Sequence, residues 1–256
     1  MKWSNEYKVH YYYTDYNNIL KPSYITRYMQ ETAWNALKNL GPYPEYLTNN
    51  NLAFILSKIC FNYYEEIYED DTIKAETWAL PPKMMIFPRN YRIYKNDKIA
   101  VEAVSAWVLV DTKNKNIIRP DAYKDVFTAY DEEELDFSVQ RRIKMPEDMN
   151  DYNNYTEYKV RYSDIDTNFH MNNAAYIDVI CDNLYSGTDI ISKESELKKK
   201  VRSLELHYNG EARFAQTIGI NKSMILTDGG ETREYYMSGK IKDGELNCFE
   251  AKIVLI

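Results

Sequence analysis

The sequence is poor in the residues that define several protein classes. Glycine and proline number 8 each in 256 residues, which excludes collagen-like and low-complexity chains. Three cysteines, Cys60, Cys181 and Cys248, are too few and too scattered for a disulfide framework or a zinc site. They read first as small buried hydrophobes. No apolar run approaches the ~18 residues of a membrane helix, and MKWSNEYKVHYYY lacks the apolar core of a secretory signal. Basic residues are outnumbered 32 to 39, giving a net charge of −7. A general nucleic-acid binder needs a basic face to displace counterions, so that class is set aside. No Gly-rich run ends in Lys-Ser/Thr and no GxGxxG occurs, so nothing resembles a phosphate loop. These absences lead to the expectation of a cytoplasmic protein without a membrane span.

Tyrosine is abundant, at 25 residues. Its ring buries well while its hydroxyl stays polar, which suits half-wet grooves. The chain also repeats itself. Tyr7-Lys8-Val9 recurs as Tyr158-Lys159-Val160, an offset of 151 (158 minus 7), which carries Asp15 onto Asp166, Asn17 onto Asn168 and Ile19 onto His170. Tyr24-Ile25 falls on Tyr176-Ile177 at an offset of 152. FNYYEEI matches LHYNGEA at an offset of 145, which places Glu66 on Glu211, and AWVLV matches AKIVL. Anchors in the same order indicate a duplicated unit. The expected division is an N-terminal unit over 1–128, an acidic connector over 129–154 and a C-terminal unit over 155–256.

Each unit reads alike. A short strand (KVHYYYTD or KVRYSDID) precedes a helix, and several strands follow. Ser23 is the expected cap of the first helix, Ile25, Met29, Ala33, Ala36 and Leu40 its apolar stripe, and Gly41-Pro42 its end. Asn172 or Asn173 is expected to cap the second, and Gly187 to end it. ILSKICFNYYEEI, DTIKAETWAL, PRNYRIYKND and KIAVEAVSAWVLVD carry the β-branched and aromatic content of antiparallel strands. A sheet wrapped around one helix buries the helix stripe.

Asp166, Asn168 and His170 alternate in DIDTNFHMNN, just before the second helix. In extended backbone alternate residues share a face. A carboxylate, an amide and an imidazole would then meet the partial positive charge of a helix N-terminus, a setting suited to a developing oxyanion. A turn shared by both copies would explain the Asp and Asn without chemistry, but His170 exists in one copy only. Glu211 follows Asn209-Gly210, an expected bulge able to re-aim a side chain. Cys181 reads as core, and neither His10 nor His207 has a companion in the sequence that makes a site.

VRYSDIDTNFHMNNAAYID, with PSYITRYMQETA, AETWAL, SAWVLVD followed by IIRP, and LELHYNGEA, resembles the acyl-acyl carrier protein thioesterases, in family order over most of the chain. The absence of a preceding plastid transit segment points to the bacterial type. The resemblance implies an α+β fold, a tandem (double) hotdog with each antiparallel sheet wrapped around a central helix. It implies hydrolysis of the thioester joining a fatty acyl chain to an acyl carrier protein, without metal or other cofactor. It carries catalytic roles to Asp166, Asn168, His170 and Glu211. Many family members have Cys directly after the Glu, where this chain has Ala212, which disfavours a Cys nucleophile. Water attack and a carboxylate nucleophile both stay open. The basic run Lys198, Lys199, Lys200 and Arg202, flanked by Lys193, is the expected contact for an acidic carrier protein, against the plain reading of a solvated loop. The alternatives are an acyl-coenzyme A thioesterase or other hotdog acyl-thioester enzyme, and a catalytically silent acyl-binding protein. Oligomeric state stays open between a monomer and a homodimer.

Overall fold

A computed structural model describes residues 1–150, 155–184, 198–244 and 246–256. Gly187 and Lys193 lie outside the described residues. The chain divides into two compact units, Met1–Val139 and Gln140–Ile256.

In the first unit, strands β1 (Lys2–Lys8), β2 (Leu52–Tyr63), β3 (Thr72–Ala79), β4 (Phe87–Lys95) and β5 (Lys98–Asp111) form an antiparallel sheet in the order β1-β3-β4-β5-β2. The short β6 (Ile117–Ile118) pairs with β5. Helix α1 (Pro22–Leu40) packs against β1 and β3, and a short α2 (Pro44–Asn49) follows. Ile25 and Met29 of the expected stripe are almost fully buried, each contributing about 1.5–3 kcal/mol by leaving water. Polar anchors fix the helix to its neighbour: the Tyr28 hydroxyl donates to Lys8 O at 3.3 Å, and the Tyr7 and Thr32 hydroxyls pair at 3.0 Å.

The second unit repeats this plan. Strands β7 (Tyr155–Lys159), β8 (Val201–Tyr208), β9 (Thr217–Thr227), β10 (Thr232–Ile241) and β11 (Asn247–Leu255) run antiparallel in the order β8-β11-β10-β9-β7. That is the first unit's order read from the other end. Helix α3 (Asn173–Leu184) lies over the inner face of this sheet. Its Tyr176 ring meets Tyr208 of β8 and Phe249 of β11 edge-on at 5.5 and 6.0 Å. At its C-terminal end Lys222 of β9 donates to Asn183 O at 2.9 Å, a cation answering unpaired carbonyls.

The connecting segment is tied down at both ends. Asp131 N donates to Ala79 O at 2.8 Å, and the Trp78 indole donates to Glu133 O at 2.7 Å. The Glu133 carboxylate pairs with Lys2 and Arg92. In the second unit Ile143 and Met149 pack on Tyr236.

Two local expectations are corrected. KVHYYYTD and KVRYSDID are not strands: β1 ends at Lys8 and β7 at Lys159, and 3-10 turns at Tyr11–Tyr13 and Tyr162–Asp164 follow. Side-chain bonds override β-propensity here, with the Thr14 hydroxyl on Tyr11 O at 2.6 Å and the Asp164 carboxylate on Arg161 N at 2.7 Å. Ser23 is not the cap of α1. Lys21 holds that place and Pro22 takes the first helical position, where its fixed φ fits. Ser23 Oγ is buried without a hydrogen-bond partner. Asn172 does cap α3, accepting from Ala174 N at 2.9 Å. The backbone entering each helix donates to the preceding turn, Lys21 N to Tyr13 O and Asn172 N to Asp164 O. The offset of 151 therefore continues into the helices, and Tyr176 corresponds to Ile25 rather than to Tyr24.

Gly239 of β10 lies opposite Phe249, and a Cβ there would run into the Phe249 ring. Gly239→Ala should cost about 1–3 kcal/mol by overpacking. Adding Phe249→Leu should recover part of that loss, as read by urea unfolding of the single and double variants.

Candidate active site

The segment carrying Asp166, Asn168 and His170 is a closed turn, not an extended run. Asp166 N donates to His170 O at 3.0 Å and Phe169 N to Asp166 O at 3.1 Å. Phe169 adopts a left-handed φ of 63°. Asp166 Oδ1 accepts from Asn168 N at 2.8 Å, which closes the turn from inside. The expectation that the three side chains share one face of a pleat is corrected: the segment is a tight turn, because the short Asp166 side chain takes the Asn168 N–H that an extended strand would leave for a neighbour.

The first unit builds the same turn. Asp15 N donates to Ile19 O at 2.8 Å, Asn18 N to Asp15 O at 3.0 Å, and Asn17 N to Asp15 Oδ1 at 2.8 Å, with Asn18 at a φ of 62°. Asp at this position is thus accounted for by architecture in both units. The imidazole is not, since Ile19 stands in its place.

The bulge at Asn209-Gly210 is present. Both N–H groups donate to the single carbonyl of Cys248, at 2.9 and 3.3 Å, so two residues oppose one. Tyr64 and Glu65 do the same to Ala100 O in the first unit, at 2.8 and 3.2 Å. Turn and bulge are then joined by one backbone bond, Met171 N to Ala212 O at 2.8 Å, repeated as Leu20 N to Ile67 O at 2.8 Å. His170 and Glu211 each stand one residue before that junction. They lie on adjoining segments and make no hydrogen bond to each other. His170 Nδ1 lies 3.3 Å from Met171 O, so an Nδ1–H donating there leaves Nε2 as the acceptor. The Glu211 carboxylate is half exposed and 3.7 Å from the Arg213 guanidinium. The Asn168 side chain is exposed.

The start of α3 closes the constellation. Asn172 uses its carboxamide oxygen for Ala174 N and its carbonyl for Ala175 N, at 2.9 Å each, and its Nδ2 reaches Asp166 Oδ2 at 3.5 Å. Of these first-turn donors, Asn173 N is the one left without an acceptor among the described residues. Sequence reasoning missed Tyr176, whose hydroxyl bonds Gly210 O and Ala212 N at the bulge; the continuous offset of 151 would have aligned it with Ile25 of the first unit.

The remaining expectations divide. Cys248 is buried, donates to Gly239 O at 3.2 Å, and has its thiol pushed up to about 12 by burial, which suits packing and not nucleophilic chemistry. Cys60 and Cys181 are half-buried. His207 is not alone, as the sequence suggested: its Nε2 is 2.9 Å from Glu205 Oε1, which also accepts from Gln140 N at 2.6 Å. Residues two apart on a strand share a face, and this buried pair anchors the connector. Lys198, Lys199, Lys200 and Arg202 stand at the start of β8, whereas Glu211 lies beyond its end. At ~3.3 Å per strand residue the two are roughly 25 Å apart along the strand. The basic run therefore does not border the Glu211 end, and Lys199 donates to Glu231 O at 2.6 Å.

The duplicated fold and the paired motifs coincide with known family patterns. The acyl-ACP thioesterase N-terminal domain matches residues 1–127 and the acyl-ACP thioesterase C-terminal domain matches residues 147–248. The chain belongs to the acyl-acyl carrier protein (acyl-ACP) thioesterase family. It is a thioester hydrolase acting on acyl-ACP. Similar solved structures include an acyl-ACP thioesterase from Bacteroides thetaiotaomicron, 20% identical with a TM-score of 0.83, covering 100% of this chain and 98% of that one. Another is the 12:0-ACP thioesterase from Umbellularia californica, 15% identical with a TM-score of 0.82, covering 100% and 94%. At these identities the likeness establishes the fold, the tandem hotdog of the family. No curated protein matches the sequence. No helix among the described residues is long and apolar enough to cross a membrane.

Because Asp15 and Asp166 close the same turn, Asp15→Ala and Asp166→Ala should each lower stability by about 1 kcal/mol. Only Asp166→Ala should also slow turnover. Thermal unfolding and single-turnover rates of the two variants, side by side, check this.

Proposed function

We propose that this thioesterase releases free fatty acid from acyl-ACP in the cytoplasm, as a step of fatty acid biosynthesis, by water attack at the junction of the second-unit turn and bulge. The observation that carries the reading is the Met171–Ala212 backbone bond, which sets a carboxylate and an imidazole on adjoining segments beside a helix N-terminus. Glu211 takes a proton from water, and the hydroxyl adds to the thioester carbon. Asn173 N and the Asn168 carboxamide receive the oxyanion. Collapse breaks the C–S bond. The proton taken by Glu211 returns to the departing sulfur through His170, whose Nε2 is free to relay it. Asp166 holds the turn on which Asn168 and His170 ride. The first unit, with Ile19 in place of the imidazole, shapes the acyl pocket.

His170→Ala should cut turnover at least ~100-fold, the usual scale for a positioned acid or base, with its unfolding midpoint largely kept. Near-normal turnover by the folded variant would sink the assignment.

Lys198, Lys199, Lys200 and Arg202 are proposed as a carrier contact remote from the chemistry. Reversing the three lysines of the run to Glu should slow association with acyl-ACP, and the loss should shrink with added salt. A short thioester lacking the carrier should be hydrolysed as before; an equal effect on both substrates would remove the contact from the account.

A further inference from the structure

The internal duplication separates what the fold requires from what the chemistry requires. The Asp-closed turn, the two-against-one bulge and the backbone bond joining them occur in both units. Two side chains at matching places do not. One is His170, where the first unit has Ile19. The other is Tyr176, where the first unit has Ile25, buried to the same extent: both are 2% exposed.

The Tyr176 hydroxyl sits between the two peptide groups that flank Glu211. It donates to Gly210 O at 3.3 Å and accepts from Ala212 N at 3.0 Å. Ala212 is fully buried, and its N–H has this phenol as its acceptor. The ring is itself held by Tyr208 and Phe249. A buried N–H without an acceptor is costly, so the phenol fixes the backbone on either side of the carboxylate. In the first unit the side-chain bond to this stretch is a different one: the Lys95 ammonium donates to Glu66 O, the counterpart of Glu211 O and not of Gly210 O, at 2.9 Å. Tyr24, the nearest tyrosine in that sequence, stacks on Tyr13 at 4.3 Å and under Arg27.

We propose that Tyr176 is a positioning residue for the thioesterase reaction: its phenol clamps the Gly210 and Ala212 peptides and so sets the direction of the Glu211 carboxylate toward His170. The inference rests on Glu211 acting as the base. Fold alone does not demand the clamp, because the first unit closes an equivalent bulge with isoleucine at that place. A misdirected base loses rate rather than substrate affinity, and a displacement of about an ångström can cost up to ~100-fold.

The test is a double-mutant cycle on the full chain with acyl-ACP, using Tyr176→Phe, Glu211→Gln and the pair, with Tyr208→Phe as a control. Tyr208 is a half-buried phenol on the same helix contact, donating to Asn173 O at 3.0 Å. Tyr176→Phe should lower kcat ~10-fold or more with KM within about twofold, since only the reacting geometry changes. Tyr208→Phe should lower the unfolding midpoint comparably and leave kcat within about twofold. In the Glu211→Gln background, single-turnover rates should show no further loss from Tyr176→Phe. Should Tyr176→Phe not fold, 4-fluorophenylalanine at position 176 keeps the ring's volume and removes the donor. If Glu211→Gln abolishes turnover while Tyr176→Phe keeps a normal kcat, the clamp is overturned and the base stands. If the Tyr176→Phe loss persists in full without Glu211, or Tyr208→Phe matches it, the clamp is equally overturned. Near-normal turnover by Glu211→Gln would overturn the base, and the clamp with it.

Discussion

The site depends on the need to satisfy backbone polar groups where regular structure stops. A turn and a bulge interrupt strand pairing in each unit, and both bring peptide groups into a nearly dry interior. The solution is one backbone bond between them, Met171 to Ala212 in the second unit and Leu20 to Ile67 in the first. Helix start, turn and strand end thereby become a single rigid corner. Asn168, His170, Asn173 and Glu211 are attached to that corner within three residues of the bond, and Asp166 closes the turn that leads into it.

The corner is common to both units. Its turn, bulge and junction are duplicated down to the φ of the residue before His170 or Ile19. The two units differ in the polarity of the side chains mounted on this scaffold. Ile at two places becomes His and Tyr, while Asp and Asn keep the same backbone duties in both. This explains why a carboxylate is retained where no reaction is proposed: Asp15 answers N–H groups that the turn leaves open.

Much of this was legible beforehand. The repeat, both helices, the strand order of types and the bulge at Asn209-Gly210 follow from local pattern and turn chemistry. The motif residues were legible as a run of polar side chains before the second helix. Their geometry was not, because alternation along DIDTNFHMNN presumes a pleat, and the Asp side chain closes a turn instead. Other misreadings have separate causes. His207 gains Glu205 because a strand places them on one face under a connector. The basic run is moved away from Glu211 because the two lie at opposite ends of β8. Tyr176 looked like a repeat of Tyr24 because identity of letters outweighed continuity of register.

The sequence by itself determined the duplicated α+β plan, the family, and the residue types able to hydrolyse a thioester, since these reside in periodicity, composition and motif order. Tertiary structure alone decided which segments adjoin, because the Met171–Ala212 bond joins positions 41 residues apart (212 minus 171). It also decided that the Glu211 backbone is held by a phenol from α3, a bond that no local pattern encodes, since it exists only when helix and bulge are packed against each other.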